Sequence, residues 1–288
     1  MSYLSDLYRK QGRYEESAAL YARAMAMGER MGSKSPLRIA LLHKWGQLYA
    51  DRGKYAQAEA LYRRSLAEAQ KEYGPEHEQE AAILNNLGQL YTAKRNFGKA
   101  KDVLEQARAM WERLRLPEDP QFATILNNLG AVYYEQRKYA AAEVLYQRAL
   151  AIDERSLGQD HFSVARDLNN LGTLSLDTKR LDEAESLFQR ALAISERSAG
   201  ANPLMAQTLH NLAELYRKDE RYEEAEGLYK RTAAVWEEVL GPESPEFARK
   251  LELLSTAYRG MALYIQAGNL KNRAAAIRAR NAFRTEPR

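Results

Sequence analysis

The sequence predicts an all-α fold, an α-solenoid of seven tandem helix hairpins running over 1–288. Three observations carry that expectation. Leu-Asn-Asn-Leu-Gly begins at Leu84, Leu126 and Leu168, a fixed step of 42 residues, and a fixed period of this length marks a stacked repeat architecture. Apolar residues inside each period recur at helical spacing, as in Tyr55, Ala58, Leu61, Tyr62 and Leu66, which trace one helix face. Between periods, glycine and then a capping residue punctuate the chain at fixed places.

In chain order, the hairpins are expected at 1–34, 35–76, 77–118, 119–160, 161–201, 202–243 and 244–288, the first and last being degenerate caps. Leu7-Tyr8 stands 41 residues before Leu48-Tyr49 and so marks the first unit. The second keeps the step of 42 through Leu42-His43-Lys44-Trp45-Gly46, and the third, fourth and fifth carry the Leu-Asn-Asn-Leu-Gly copies. The sixth follows after 41 as Leu209-His210-Asn211-Leu212-Ala213. In the seventh, Leu251 to Tyr258 lies 42 after Leu209 to Tyr216, with Leu253 and Ser255 where middle repeats have Asn and Gly.

Each unit holds two helices. Ile83, Leu84, Leu87, Leu90 and Tyr91 give a first helix, and a polar turn such as Ala93-Lys94-Arg95-Asn96 separates it from a second. Small residues recur where the two must approach: Gly46, Gly88, Gly130 and Gly172 in the first helices, and Ala58, Ala100, Ala142, Ala184, Ala225 and Ala267 in the second. Glycine costs a helix up to about 1 kcal/mol relative to alanine, so its recurrence implies close packing. Gly32, Gly74, Gly158, Gly200 and Gly241 form a column expected to end second helices in a left-handed cap. Ser35, His77, Asp119, His161, Asn202 and Ser244 form the next helix-start column, with Pro36, Pro120, Pro203 and Pro245 behind four of them. The column Tyr14, Tyr55, Tyr139, Tyr222 and Tyr264 shares a register with core Ala and Leu and is expected in the core.

These positions resemble the tetratricopeptide repeat (TPR) family. The 42-residue length, the Leu-Asn-Asn-Leu-Gly opening and the body from Tyr139 to Leu150 are similar to the long repeats of kinesin light chains. The resemblance implies a right-handed superhelix with first helices lining a concave groove, and a scaffold that binds protein or peptide.

Two polar columns lie between core leucines of the first helices: His43, Asn85, Asn127, Asn169 and His210, then Lys44, Asn86, Asn128, Asn170 and Asn211. An amide is both donor and acceptor, so a row of them can pair with the backbone of an extended peptide. The resemblance implies such contacts and matches the second column better; the alternative is that one Asn of each pair ties adjacent repeats together. Gln47, Gln89, Thr173 and Glu214 are expected on the same side, with Arg166 and Arg38 near its edge. The candidate peptide-binding groove is therefore Lys44, Gln47, Asn85, Asn86, Gln89, Asn127, Asn128, Arg166, Asn169, Asn170 and Asn211.

Composition removes several other functions. Lys plus Arg number 43 against 39 Asp plus Glu, both signs interspersed, which is a soluble surface and no nucleic-acid footprint. There is no cysteine, hence no disulfide, thiolate metal site or cysteine nucleophile. No two histidines share ligand spacing on one helix, and no phosphate loop or nucleophile elbow occurs. The carboxylates are expected on solvated faces, and the basic end carrying Lys271, Arg273, Arg278, Arg280, Arg284 and Arg288 is expected to be a solvated cap. No apolar run reaches signal or membrane-span length. The expectation is a non-catalytic, cytoplasmic, monomeric binding module without cofactor, nucleic-acid or membrane partner. Two alternatives are an assembly scaffold that associates through its ends or convex face, and an accessory domain of a larger signalling protein.

Overall fold

The computed structural model describes residues 2–10, 13–30, 35–74, 76–114, 118–197 and 200–285. Gly32 of the cap column, Glu286 and Arg288 lie outside them, as does the side chain of Arg284. The chain forms two compact units, residues 1–152 and 153–288.

The first unit contains α1 (Ser2–Lys10), α2 (Tyr14–Arg30), α3 (Ser35–Asp51), α4 (Tyr55–Tyr73), α5 (Glu78–Ala93), α6 (Phe97–Arg113), α7 (Pro120–Glu135) and most of α8 (Tyr139–Leu157). The second contains the end of α8, then α9 (Phe162–Asp177), α10 (Leu181–Arg197), α11 (Pro203–Lys218), α12 (Tyr222–Leu240), α13 (Pro245–Gly260) and α14 (Tyr264–Thr285). Odd-numbered helices are the first of each hairpin. The described residues form no strand.

The helix starts follow from capping chemistry. His77, Asp119, His161, Asn202 and Ser244 each accept a backbone N–H of the first turn through the side chain. Pro120, Pro203 and Pro245 follow at the position where a missing N–H costs nothing. The glycine column corrects the expected left-handed cap: φ is positive, but Gly74 has ψ 179° and Gly241 ψ 144°. That extended region with φ reversed is open essentially to glycine alone. Positive φ also occurs inside the hairpins, at Gly53, Arg95, Arg137, Lys179, Glu220 and Ala262, and between two of them at Glu76.

Within each unit the helices of a hairpin pack together, as in α3 with α4 and α9 with α10, and first helices also meet the second helix before them, as in α4 with α5 and α10 with α11. The close approach expected from the glycines is observed. A Cβ on Gly46, Gly130 or Gly172 would lie 2.6–2.7 Å from the ring of Tyr62, Tyr146 or Phe188. These rings, with Tyr21, Leu104 and Tyr229, form the true core column, all nearly fully buried. The column beginning with Tyr14 is seven residues too early for the core, at the first residue of each second helix. Tyr14, Tyr55 and Tyr139 are half-buried, while Tyr222 and Tyr264 are exposed.

Outward faces carry ion pairs between consecutive second helices: Glu112 with Arg148 in the first unit, then Glu154 with Arg190, Glu196 with Arg231 and Glu237 with Arg273 in the second. The basic end is thus largely paired, since Arg278 also meets Glu252 and Arg280 meets Glu243.

Candidate functional site

The two polar columns lie at different depths. A first-helix residue preceding a core Leu by two positions turns partly inward, so Asn85, Asn127 and Asn169 are 8%, 4% and 2% exposed. Their neighbours Asn86, Asn128, Asn170 and Asn211 are half-buried. In the first unit the Asn128 amide donates to Asn85 Oδ1 over 2.8 Å. In the second, the Asn211 amide donates to Asn169 Oδ1 over 3.1 Å and to Thr173 Oγ1 over 3.2 Å, while the buried Thr208 hydroxyl donates to the same Asn169 oxygen. A buried acceptor left unsatisfied costs about 1–3 kcal/mol, so the outer Asn of one repeat is held in place by the inner Asn of the repeat before it.

His43 replaces the inner Asn in the second hairpin and does the same work. The Asn86 amide nitrogen lies against His43 Nε2. Burial, helped by the charge of Lys44, lowers the His43 pKa to about 4 and keeps the ring neutral. Lys44 is half-buried. Gln47, Asn86 and Gln89 come together around a pocket of about 310 Å³, bordered by Tyr62 and the Arg9–Asp51 ion pair.

Other predicted residues are otherwise engaged. Arg166 spends its guanidinium on Asp167 Oδ1 (3.2 Å) and Asp153 Oδ2 (3.4 Å), both carboxylates being fully buried. Arg38 pairs with Glu68. Burial pushes the Glu214 carboxyl up, but bonds from Arg217 and Tyr229 outweigh it and hold the group below the ordinary carboxylate range. Asp153 and Asp167 are exceptions to the solvated faces expected of the carboxylates. Their signal lay in the columns: Asp153 stands in the column of Trp111, Ser195 and Trp236, and Asp167 in that of Ile83, Ile125 and Thr208.

The described residues include no group of three or more His, Asp or Glu side chains able to hold a metal ion, and no helix among them is long and apolar enough to cross a membrane.

Tetratricopeptide repeat models match residues 1–67, 37–113 and 121–197, others of the same description match 85–156 and 205–246, and the chain belongs to this family. Among solved structures it is similar to BtubC (BKLC) from P. vanneervenii, at 28% identity over 79% of this chain and 92% of that one, with a TM-score of 0.68. It is also similar to a protein from Podosopora anserina, named as a kinesin light chain, with nearly identical TPR-like repeats: 22% identity over 72% and 98%, TM-score 0.59. Aspartyl phosphate phosphatase F from Bacillus subtilis shares the fold at 14% identity over 96% and 69%, TM-score 0.72. A comparison with curated proteins gave no match.

Proposed function

We propose that this chain is a non-catalytic interaction module that holds an extended peptide, or an extended segment of a partner protein, against its first helices. The observation that supports this is the depth of the two columns. Asn86, Asn128 and Asn211 are half-buried, and each is fixed by a partner of the preceding repeat, half-buried His43 or buried Asn85 or Asn169. An amide has two donors and an acceptor oxygen. The inter-repeat bond of Asn128 uses one amide hydrogen and leaves the rest to a ligand. Preorganised amides bind without a further loss of side-chain entropy. Gln47 and Gln89 add neutral polar groups of the same kind, while Lys44 and Asn170 extend the row. Asn85, Asn127 and Asn169 are then positioning residues, and Arg166 braces its own helix.

The test is selection of a random peptide library displayed on phage against the full chain, followed by titration of an enriched synthetic peptide. At about 1 kcal/mol per lost hydrogen bond, replacing Asn86, Asn128 and Asn211 together with Ala weakens binding roughly 100-fold. Circular dichroism checks that the variant is folded. Undiminished affinity in a folded variant, or a library that yields no binder, overturns the proposal.

A further inference from the structure

One cavity in the second unit combines an apolar wall with polar groups that have no partner. It measures about 360 Å³ and lies among α11, α12 and α13. Trp236, Val239, Leu240 and Leu253 supply apolar wall, and His210 and Lys250 supply polar groups. Leu253 occupies the column held by Asn86, Asn128, Asn170 and Asn211 in earlier repeats, and it is 45% exposed. A single exposed leucine is ordinary, but this one adjoins the apolar wall of a cavity.

The polar groups are similarly unspent. His210 Nδ1 is buried and has no hydrogen-bond partner, and burial lowers the ring's pKa and favours its neutral form. Lys250 makes no ion pair among the described residues; its ammonium lies 5.0 Å from the centre of the Trp236 ring. The ring face is therefore taken by a cation, which leaves the apolar wall for an aliphatic side chain. Glu246 at the rim opposes an anionic ligand, so a neutral carbonyl oxygen is the acceptor that fits Lys250. The first unit has a tryptophan-floored pocket too, at Trp111. It is smaller, about 190 Å³, and His43, Asn85, Asn86, Gln121 and Thr124 stand beside Ala82 and Ile125 in its lining, with no leucine among them.

We propose that the cavity of Trp236, Val239, Leu240 and Leu253 is a specificity pocket for one aliphatic side chain of a bound peptide, with the adjoining peptide carbonyl on Lys250 and a peptide group on His210 Nδ1. This rests on the peptide-binding reading above and adds the residue class selected. Asn211, which lines the same cavity, places it beside the amide row.

The test does not need the natural ligand. Acetylated and amidated Ser-Gly-X-Gly-Ser peptides, with X as Leu, Phe, Asp or Lys, are titrated into the full chain while the three tryptophan indole N–H signals are followed by NMR. The Leu peptide is expected to shift the Trp236 signal saturably, the Phe peptide at least fivefold more weakly, and the Asp and Lys peptides not at all. Leu253→Asn, an exposed change to the residue of that column, abolishes the shift. A Trp236 signal that stays still with X as Leu, or moves equally with X as Asp, overturns the pocket. If the pocket fails while the triple Asn variant still loses its selected peptide, the amide row stands alone; a Trp236 shift with no loss in that variant leaves the pocket and removes the row.

Discussion

Asp153 and Asp167 have 1% and 0% exposure, and one guanidinium, that of Arg166, serves both. Burial raises the Asp153 pKa, and the charge of Arg166 only partly offsets it. Below the pKa of an unfolded aspartate, about 3.9, both states are protonated and the burial costs nothing. As pH rises through the raised native pKa, the folded chain must ionise a buried acid, and stability falls until that ionisation is complete. Asp153→Asn removes this cost, so it is expected to raise Tm at pH 7 by roughly 2–4 °C, a gain that disappears near pH 4. A lower Tm at pH 7 would show that the Arg166 contact outweighs the burial. At this scale the sequence was only partly legible. It placed both Asn columns on the first helices, but neighbouring amides look alike in a row of letters, and depth is set by how the helix before them sits.

At the scale of the element, most of the fold was written locally. Caps need a short acceptor at a fixed place, so His77, Asp119, His161, Asn202 and Ser244 were visible as a column. The left-handed turn residues were not, because Arg95, Lys179, Glu220 and Ala262 share no side-chain chemistry. Helix contact was legible through Gly172, whose added Cβ would meet the Phe188 ring at 2.7 Å. Gly172→Ala gains helix propensity of up to about 1 kcal/mol but forces a buried ring aside at a cost of about 1–3 kcal/mol. Packing is expected to win, with a net loss of about 1 kcal/mol in urea unfolding. Ala213 at the same column beside Tyr229 shows that a hairpin can be built around the extra methyl. A stabilised Gly172→Ala variant would mean that the ring relaxes freely there too.

Over the whole molecule, the period dictates how stability is distributed. Within each unit the contacts run between consecutive repeats, so free energy adds along the stack in place of collecting in one central core. Within the second unit, α14 packs on α13 and α13 on α12, while the outer pairs such as Glu237 with Arg273 are half-exposed and contribute at most about 1 kcal/mol each. Ile277 of α14 is fully buried, and Ile277→Ala removes about 2–5 kcal/mol of packing. In a nearest-neighbour stack that loss stays local. Hydrogen exchange followed by mass spectrometry is therefore expected to show faster exchange in α13 and α14, with α9 and α10 unchanged. Equal loss of protection from α9 to α14 would mean that the unit opens all at once, and that the amides of Asn169 and Asn211, which bond one repeat to the next, transmit more than their single hydrogen bonds suggest.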